Sequence, residues 1–173
     1  MSLKEENLQK YKIKLCGKPE MVLNDYKKTG LYVPIGINCT GKCWKKQGLN
    51  SKICQNWEYN NKYSLFSIEE IIKEYYRNPF ISCYILTGME PFDNFEEMLL
   101  LISEIRISND CDIVIYSGYN KEELEKHIET LKKFKNIIIK FGIYAVDLPR
   151  IYDDVLGIEL ISSNQYAKRI EDL

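Results

Sequence analysis

Residues 81–86 read Ile-Ser-Cys-Tyr-Ile-Leu, a nearly continuous apolar run bounded by turn residues. A run of that length, apolar on both faces, suits a strand that must be covered on both sides, as in a parallel α/β sheet. The neighbouring segments agree. Residues 31–35, 112–116 and 136–140 are further short apolar runs, the first weakened by Pro34, and residues 156–161 predict a fifth strand. Between them the apolar residues recur at helical spacing. Ser67, with Glu70 three residues on, opens a helix with the stripe Ile68, Ile71 and Ile72. Asp93 and Glu96 are expected to cap a second helix, carrying Phe95, Met98, Leu99, Ile102 and Ile105. Asn120 and Glu123 cap a third, with Leu124, Ile128 and Leu131 facing inward. Alternation of strand and helix predicts an α/β fold with mainly parallel strands. Five strands are too few for a closed eight-stranded barrel, so an open, partial (β/α) barrel is expected. Residues 1–29 are polar and read as an N-terminal extension, and residues 30–173 as the domain.

The chain has 173 residues, enough for one domain, and 45% of them are hydrophobic. With 24 basic and 25 acidic side chains the net charge is -1, so no overall basic field attracts nucleic acid. The opening MSLKEENLQKYK lacks the apolar stretch of a signal peptide, and no run approaches the length of a membrane span. A cytoplasmic protein with reduced thiols and no membrane association is expected. The single histidine, His127, excludes multi-histidine metal sites and reads as a surface residue beside Lys126.

In parallel sheets the chemistry sits at the carboxyl ends of the strands. That rule selects the connection after the first strand, the turn 87–92 and the turn 117–120. The first holds Cys39, Cys43 and Cys54 with spacing C-x3-C-x10-C, among Gly36, Gly41 and Gly48. Three thiols without histidine suit a soft metal or an iron–sulfur cluster. Zinc takes a fourth ligand, which Cys16 could supply from far upstream. Three reduced loop cysteines without a common role are the plain alternative. Cys83, inside an apolar strand, reads as core, and Cys16 and Cys111 have no visible partner.

The segment Gly36-Ile37-Asn38-Cys39-Thr40-Gly41-Lys42-Cys43, followed by Cys54-Gln55-Asn56-Trp57, resembles the cluster loop of radical S-adenosylmethionine proteins. The nearest likeness is to the activating proteins of anaerobic ribonucleotide reductase. Three further segments resemble that family in its order: Thr87-Gly88-Met89-Glu90-Pro91, Ile115-Tyr116-Ser117-Gly118-Tyr119 and Ser162-Ser163-Asn164-Gln165. The chain departs from the family in three places. Residues 44–52 are an insertion between the second and third cysteines, Gln55 replaces a histidine, and Met89 interrupts a Gly-Gly pair.

The resemblance implies a 4Fe-4S cluster on Cys39, Cys43 and Cys54, with S-adenosylmethionine chelating the remaining iron. It implies that Gly88, Met89 and Glu90, together with Ser117 and Gly118, bind that cofactor, with Glu90 accepting from its ammonium group. The implied activity is that of an anaerobic radical oxidoreductase that reductively cleaves S-adenosylmethionine to a 5′-deoxyadenosyl radical. The implied partners are a glycyl radical enzyme, such as the large subunit of anaerobic ribonucleotide reductase, and a flavodoxin- or ferredoxin-type electron donor. Two other readings stay open: action on a small molecule or nucleotide precursor, and a non-catalytic, metal-stabilised binding module.

Overall fold

The computed structural model describes residues 11–173. The strands are β1 (Lys12–Leu15), β2 (Glu20–Val22), β3 (Gly30–Gly36), β4 (Ser64–Ser67), β5 (Cys83–Gly88), β6 (Asp112–Tyr116), β7 (Ile137–Phe141), β8 (Ile151–Asp153), β9 (Ile158–Leu160) and β10 (Tyr166–Arg169). The helices are α1 (Lys42–Lys45), α2 (Ile68–Arg77), α3 (Phe95–Ser108) and α4 (Glu125–Leu131). The fold is mixed α/β around an open six-stranded sheet of order β10-β7-β6-β5-β3-β2. The four central strands β3, β5, β6 and β7 run parallel. Both edges, β2 and β10, run antiparallel to their neighbours.

Each central strand is apolar on both faces because each face meets a core. Leu31, Val33, Tyr84, Leu86, Ile113, Ile115, Ile137 and Ile139 pack under the helices, against Ile68, Met98, Ile102 and Ile128 among others. The alternate residues Cys83, Ile85, Val114 and Ile138 form a second, smaller core with Tyr26, Leu156, Leu160 and Ala167. The alternation follows the two-residue period of the strand. Cys83 is thus core, as its sequence context implies. The smaller core stops short of the strands' carboxyl ends, where the same face carries Thr87, Tyr116 and Lys140 around a cavity.

Several local expectations change. The connection 36–66 contains α1, two short 3-10 turns and β4, which pairs with β1. Of the extension expected over 1–29, residues 12–29 supply β1, β2 and the buried Tyr26; the rest, apart from Tyr11, lies outside the described residues. The expected fifth strand is a correction. β9 pairs only with β8, and the place beside β7 belongs to β10. Leu156 and Leu160 are apolar because their side chains cover the smaller core, not because the segment joins the sheet.

The capping box predicted at Ser67 and Glu70 forms, with both reciprocal hydrogen bonds. Such a box is worth about 1 kcal/mol. The cap predicted at Asp93 does not form. Pro91 starts a 3-10 turn two residues earlier, capped by the Glu90 carboxylate, and Asp93 instead accepts from the Tyr119 hydroxyl at 2.5 Å. His127 is only partly a surface residue. Its ring is half-buried edge-on against Phe95 and Phe92, with Nδ1 buried and unpaired. Among the described residues no helix is long and apolar enough to cross a membrane.

Candidate metal and cofactor site

One cavity of about 770 Å³ opens at the carboxyl ends of β3, β5, β6 and β7. Cys39, Cys43 and Cys54 line it, as do Gly88, Met89 and Glu90 after β5 and Ser117 and Gly118 after β6. The three turns selected from the sequence therefore meet in one place. The reason is topological: parallel strands in one sheet send every following turn to the same edge.

The cysteine loop is held from several sides. The Cys39 N–H donates to Asn60 Oδ1 at 3.0 Å, and the Gly41 N–H donates to Cys39 Sγ at 3.3 Å. Gly41 has a left-handed φ of 74° and starts α1, which carries Cys43. The Asn56 side chain donates to the Gly88 carbonyl at 2.8 Å, tying the third cysteine's segment to the β5 turn. All three thiols are half-buried. The proximity of the Cys43 and Cys54 thiols favours the thiolate of Cys54 and, with burial, raises Cys43. Burial raises Cys39.

At the β5 turn two backbones touch. Gly88 has φ 104°, and a Cβ there would lie 2.5 Å from the Gly36 carbonyl oxygen. A Cβ on Gly36 would lie 2.6 Å from the Glu90 amide nitrogen. Glycine is needed at both positions, so the glycine that the turn requires is Gly88. Met89 follows with its N–H on the Gly36 carbonyl at 2.8 Å.

Glu90 is 4% exposed. Its Oε1 accepts from the Phe92 N–H at 3.2 Å and the Ser117 hydroxyl at 3.0 Å, and its Oε2 accepts from the Gly118 N–H at 2.8 Å. Burial pushes its pKa up to about 7, against the pull of those three donors. The carboxylate thus ties the β5 turn to the β6 turn, and among the described residues Oε2 keeps an unmatched lone pair.

Four further residues contribute, of which Gln165 and Asn56 stand in the sequence only within the segments that carry the resemblance. Lys140 is buried and lines the cavity, with Nζ donating to the Gly142 carbonyl at 2.8 Å and the Ser117 carbonyl at 3.4 Å. Burial lowers its pKa to about 8, partly offset by the charges of Glu90 and Cys43. Gln165 also lines the cavity, with Oε1 buried and unpaired. Asn56 and Asn60 hold the loop. Lys140 had a readable signal, since it ends an apolar strand on the face of Ile138. Asn60 had none, because its partner is distant in sequence, and the bond of Asn56 to Gly88 is equally invisible there. Cys16 lies against Gly88, outside the cavity lining.

The donor set fits an iron–sulfur group. Among the described residues no three histidine, cysteine or acidic side chains converge as ligands of one metal ion. A cluster does not require such convergence, since its thiolates are distributed over several irons. Three thiols without an imidazole at one cavity match that softer, wider group better than a lone zinc ion. A family model described as "4Fe-4S single cluster domain" matches residues 33–152. No curated protein and no solved structure gives a match. The matched span runs from within β3 to β8, more than half of the chain, and takes in all three cavity thiols and both strand-end turns. The chain therefore belongs to the 4Fe-4S single cluster domain family.

Proposed function

We propose that this is a radical S-adenosylmethionine protein whose open sheet serves as a partial barrel. One observation carries the reading: three thiols and the turns at Gly88–Glu90 and Ser117–Gly118 share one cavity large enough for a nucleoside-sized cofactor. Cys39, Cys43 and Cys54 would hold a 4Fe-4S cluster, leaving one iron without a protein ligand. With S-adenosylmethionine bound, such a cluster supplies one-electron reductive cleavage to a 5′-deoxyadenosyl radical.

The chain's own part is binding and orientation. The absence of a side chain at Gly88 lets β3 and β5 meet closely, bringing the cysteine loop over the cofactor turn. Oε2 of Glu90 offers a lone pair to the cofactor's ammonium group, while Oε1 keeps the Ser117 turn in place. Met89 and Ile53 give the cavity an apolar wall, and Gln165 a free acceptor. No general base is needed, in keeping with the single histidine.

The proposed role is activation of a glycyl radical enzyme, with anaerobic ribonucleotide reductase the first candidate, in the cytoplasm and with a flavodoxin- or ferredoxin-type donor. A second reading, action on a small molecule or nucleotide precursor, is favoured by one feature: the insertion 44–52 is bonded to the opposite wall of the cavity. The test is anaerobic reconstitution with iron and sulfide, followed by dithionite and S-adenosylmethionine. The expected product is 5′-deoxyadenosine, lost in Cys39→Ala, Cys43→Ala and Cys54→Ala and kept in Cys83→Ala. Fully loaded protein that releases none overturns the reading in favour of a binding module.

A further inference from the structure

The insertion between Cys43 and Cys54 is joined to the far wall of the cavity through one side chain. Nε2 of Gln47 donates to the Tyr144 carbonyl at 2.7 Å and also to the Cys43 carbonyl. Oε1 of Gln47 accepts from the Val146 N–H at 3.0 Å. Two carbonyls require a donor and one N–H requires an acceptor, so only this orientation of the amide satisfies all three. Toward the segment after β7, the side chain behaves like a residue of an adjoining strand.

Gln47 is placed for this by its own backbone. It follows α1, its N–H bonded to the Trp44 carbonyl at 3.3 Å, and Gly48 with φ 65° then turns the chain back. The base of the insertion is braced by Trp44, edge-on to Trp57 at 5.2 Å. Its far end brings Lys52 and Ile53 to the cavity lining, and Tyr144 and Val146 line the opposite side. The insertion is thus a folded wall with a fixed base and one tip contact across the rim.

We propose that Gln47 is a clasp that closes this side of the cavity and sets the size of what reaches the three thiols. With the clasp made, small molecules reach the thiols through the remaining opening and bulky groups do not. The clasp depends on the cavity, not on any radical chemistry.

The thiols are their own reporters. Cluster-free protein is alkylated with iodoacetamide or with a maleimide carrying a long polyethylene glycol chain, and labelling at each cysteine is followed by peptide mass spectrometry. Gln47→Ala is expected to raise the ratio of bulky to small labelling rates at Cys39, Cys43 and Cys54 by about 25-fold, a factor of about five for each of the two hydrogen bonds lost across the rim. The ratio at Cys111, outside the cavity, is expected to stay unchanged. Gln47→Glu keeps an acceptor for Val146 but sets a carboxylate oxygen against the Tyr144 and Cys43 carbonyls, and a rise of at least about fivefold is expected. An unchanged ratio in Gln47→Ala protein with a wild-type circular dichroism spectrum overturns the clasp. If that variant does not fold, an unchanged ratio in Gln47→Glu does so. Neither iron nor S-adenosylmethionine enters the measurement, so the clasp and the radical reading fail separately.

Discussion

Replacing Glu90 by glutamine separates the electrostatic cost of this carboxylate from its hydrogen bonds. In the folded chain burial lifts its pKa from 4.5 to about 7, although three donors face it. A carboxyl whose folded pKa lies above the unfolded value binds more protons folded than unfolded across that interval. Stability therefore falls as pH rises through it. Each pH unit separating the folded from the unfolded pKa corresponds to about 1.4 kcal/mol, so the full interval carries about 3 kcal/mol. Between about pH 5 and pH 7.5 some 2 kcal/mol of that falls within reach of experiment. Glutamine is close in shape and does not titrate. The difference in unfolding free energy, Glu90→Gln minus wild type, is expected to move in favour of the variant by about 2 kcal/mol across this range. The measurement is denaturant unfolding of the cluster-free protein, followed by circular dichroism at several pH values. The pH slope is the readout, because the amide's mismatch with one donor shifts the variant by a constant amount. A flat difference, or one moving against the variant, would show that Phe92, Ser117 and Gly118 outweigh burial.

Three further outcomes follow. Gly88→Ala places a Cβ 2.5 Å from the Gly36 carbonyl at φ 104°, and a loss of about 2–4 kcal/mol is expected in thermal or denaturant unfolding. Asp112 accepts from Tyr26 at 3.0 Å and Lys28 at 2.6 Å, with Arg169 3.5 Å away; burial alone would raise its carboxyl, but these partners hold it below its ordinary value. Its stabilising contribution is present above the unfolded pKa and is lost as pH falls through the lower folded pKa, so Asp112→Asn is expected to weaken the fold more near neutral pH than in acid, as denaturant unfolding at the two pH values would read. Cys54→Ser is expected to lower iron and acid-labile sulfide bound after reconstitution, whereas Cys111→Ser, outside the cavity, leaves both at the wild-type level; elemental and sulfide analysis check this.

The site was legible to the extent that its parts sit at strand ends. The rule that parallel strands present their carboxyl ends together selected the cysteine loop and the turns 87–92 and 117–120, and the resemblance narrowed these to Cys39, Cys43, Cys54, Gly88–Glu90 and Ser117–Gly118. The role of Glu90 was half legible. The resemblance implies a ligand contact for it, and the structure shows it also capping the 91–94 turn and bracing the β6 turn. Gln47, Asn56 and Asn60 were not legible, since each bonds to backbone that is distant along the chain and backbone leaves no mark in a sequence.

The same division runs through the whole molecule. The sequence by itself determined the central strands and the longer helices, because period and burial are written in the side chains: apolar on both faces for β5, one stripe for α2, a capping box at Ser67. Only the tertiary structure decided which strands become neighbours. It placed β10 and not β9 beside β7, brought β2 to the opposite edge, buried Lys140 at the cavity and carried Gln47 across its rim. Apolar periodicity reports that a face is covered and not by what, so pairing partners and cross-cavity hydrogen bonds exist only once the chain has folded.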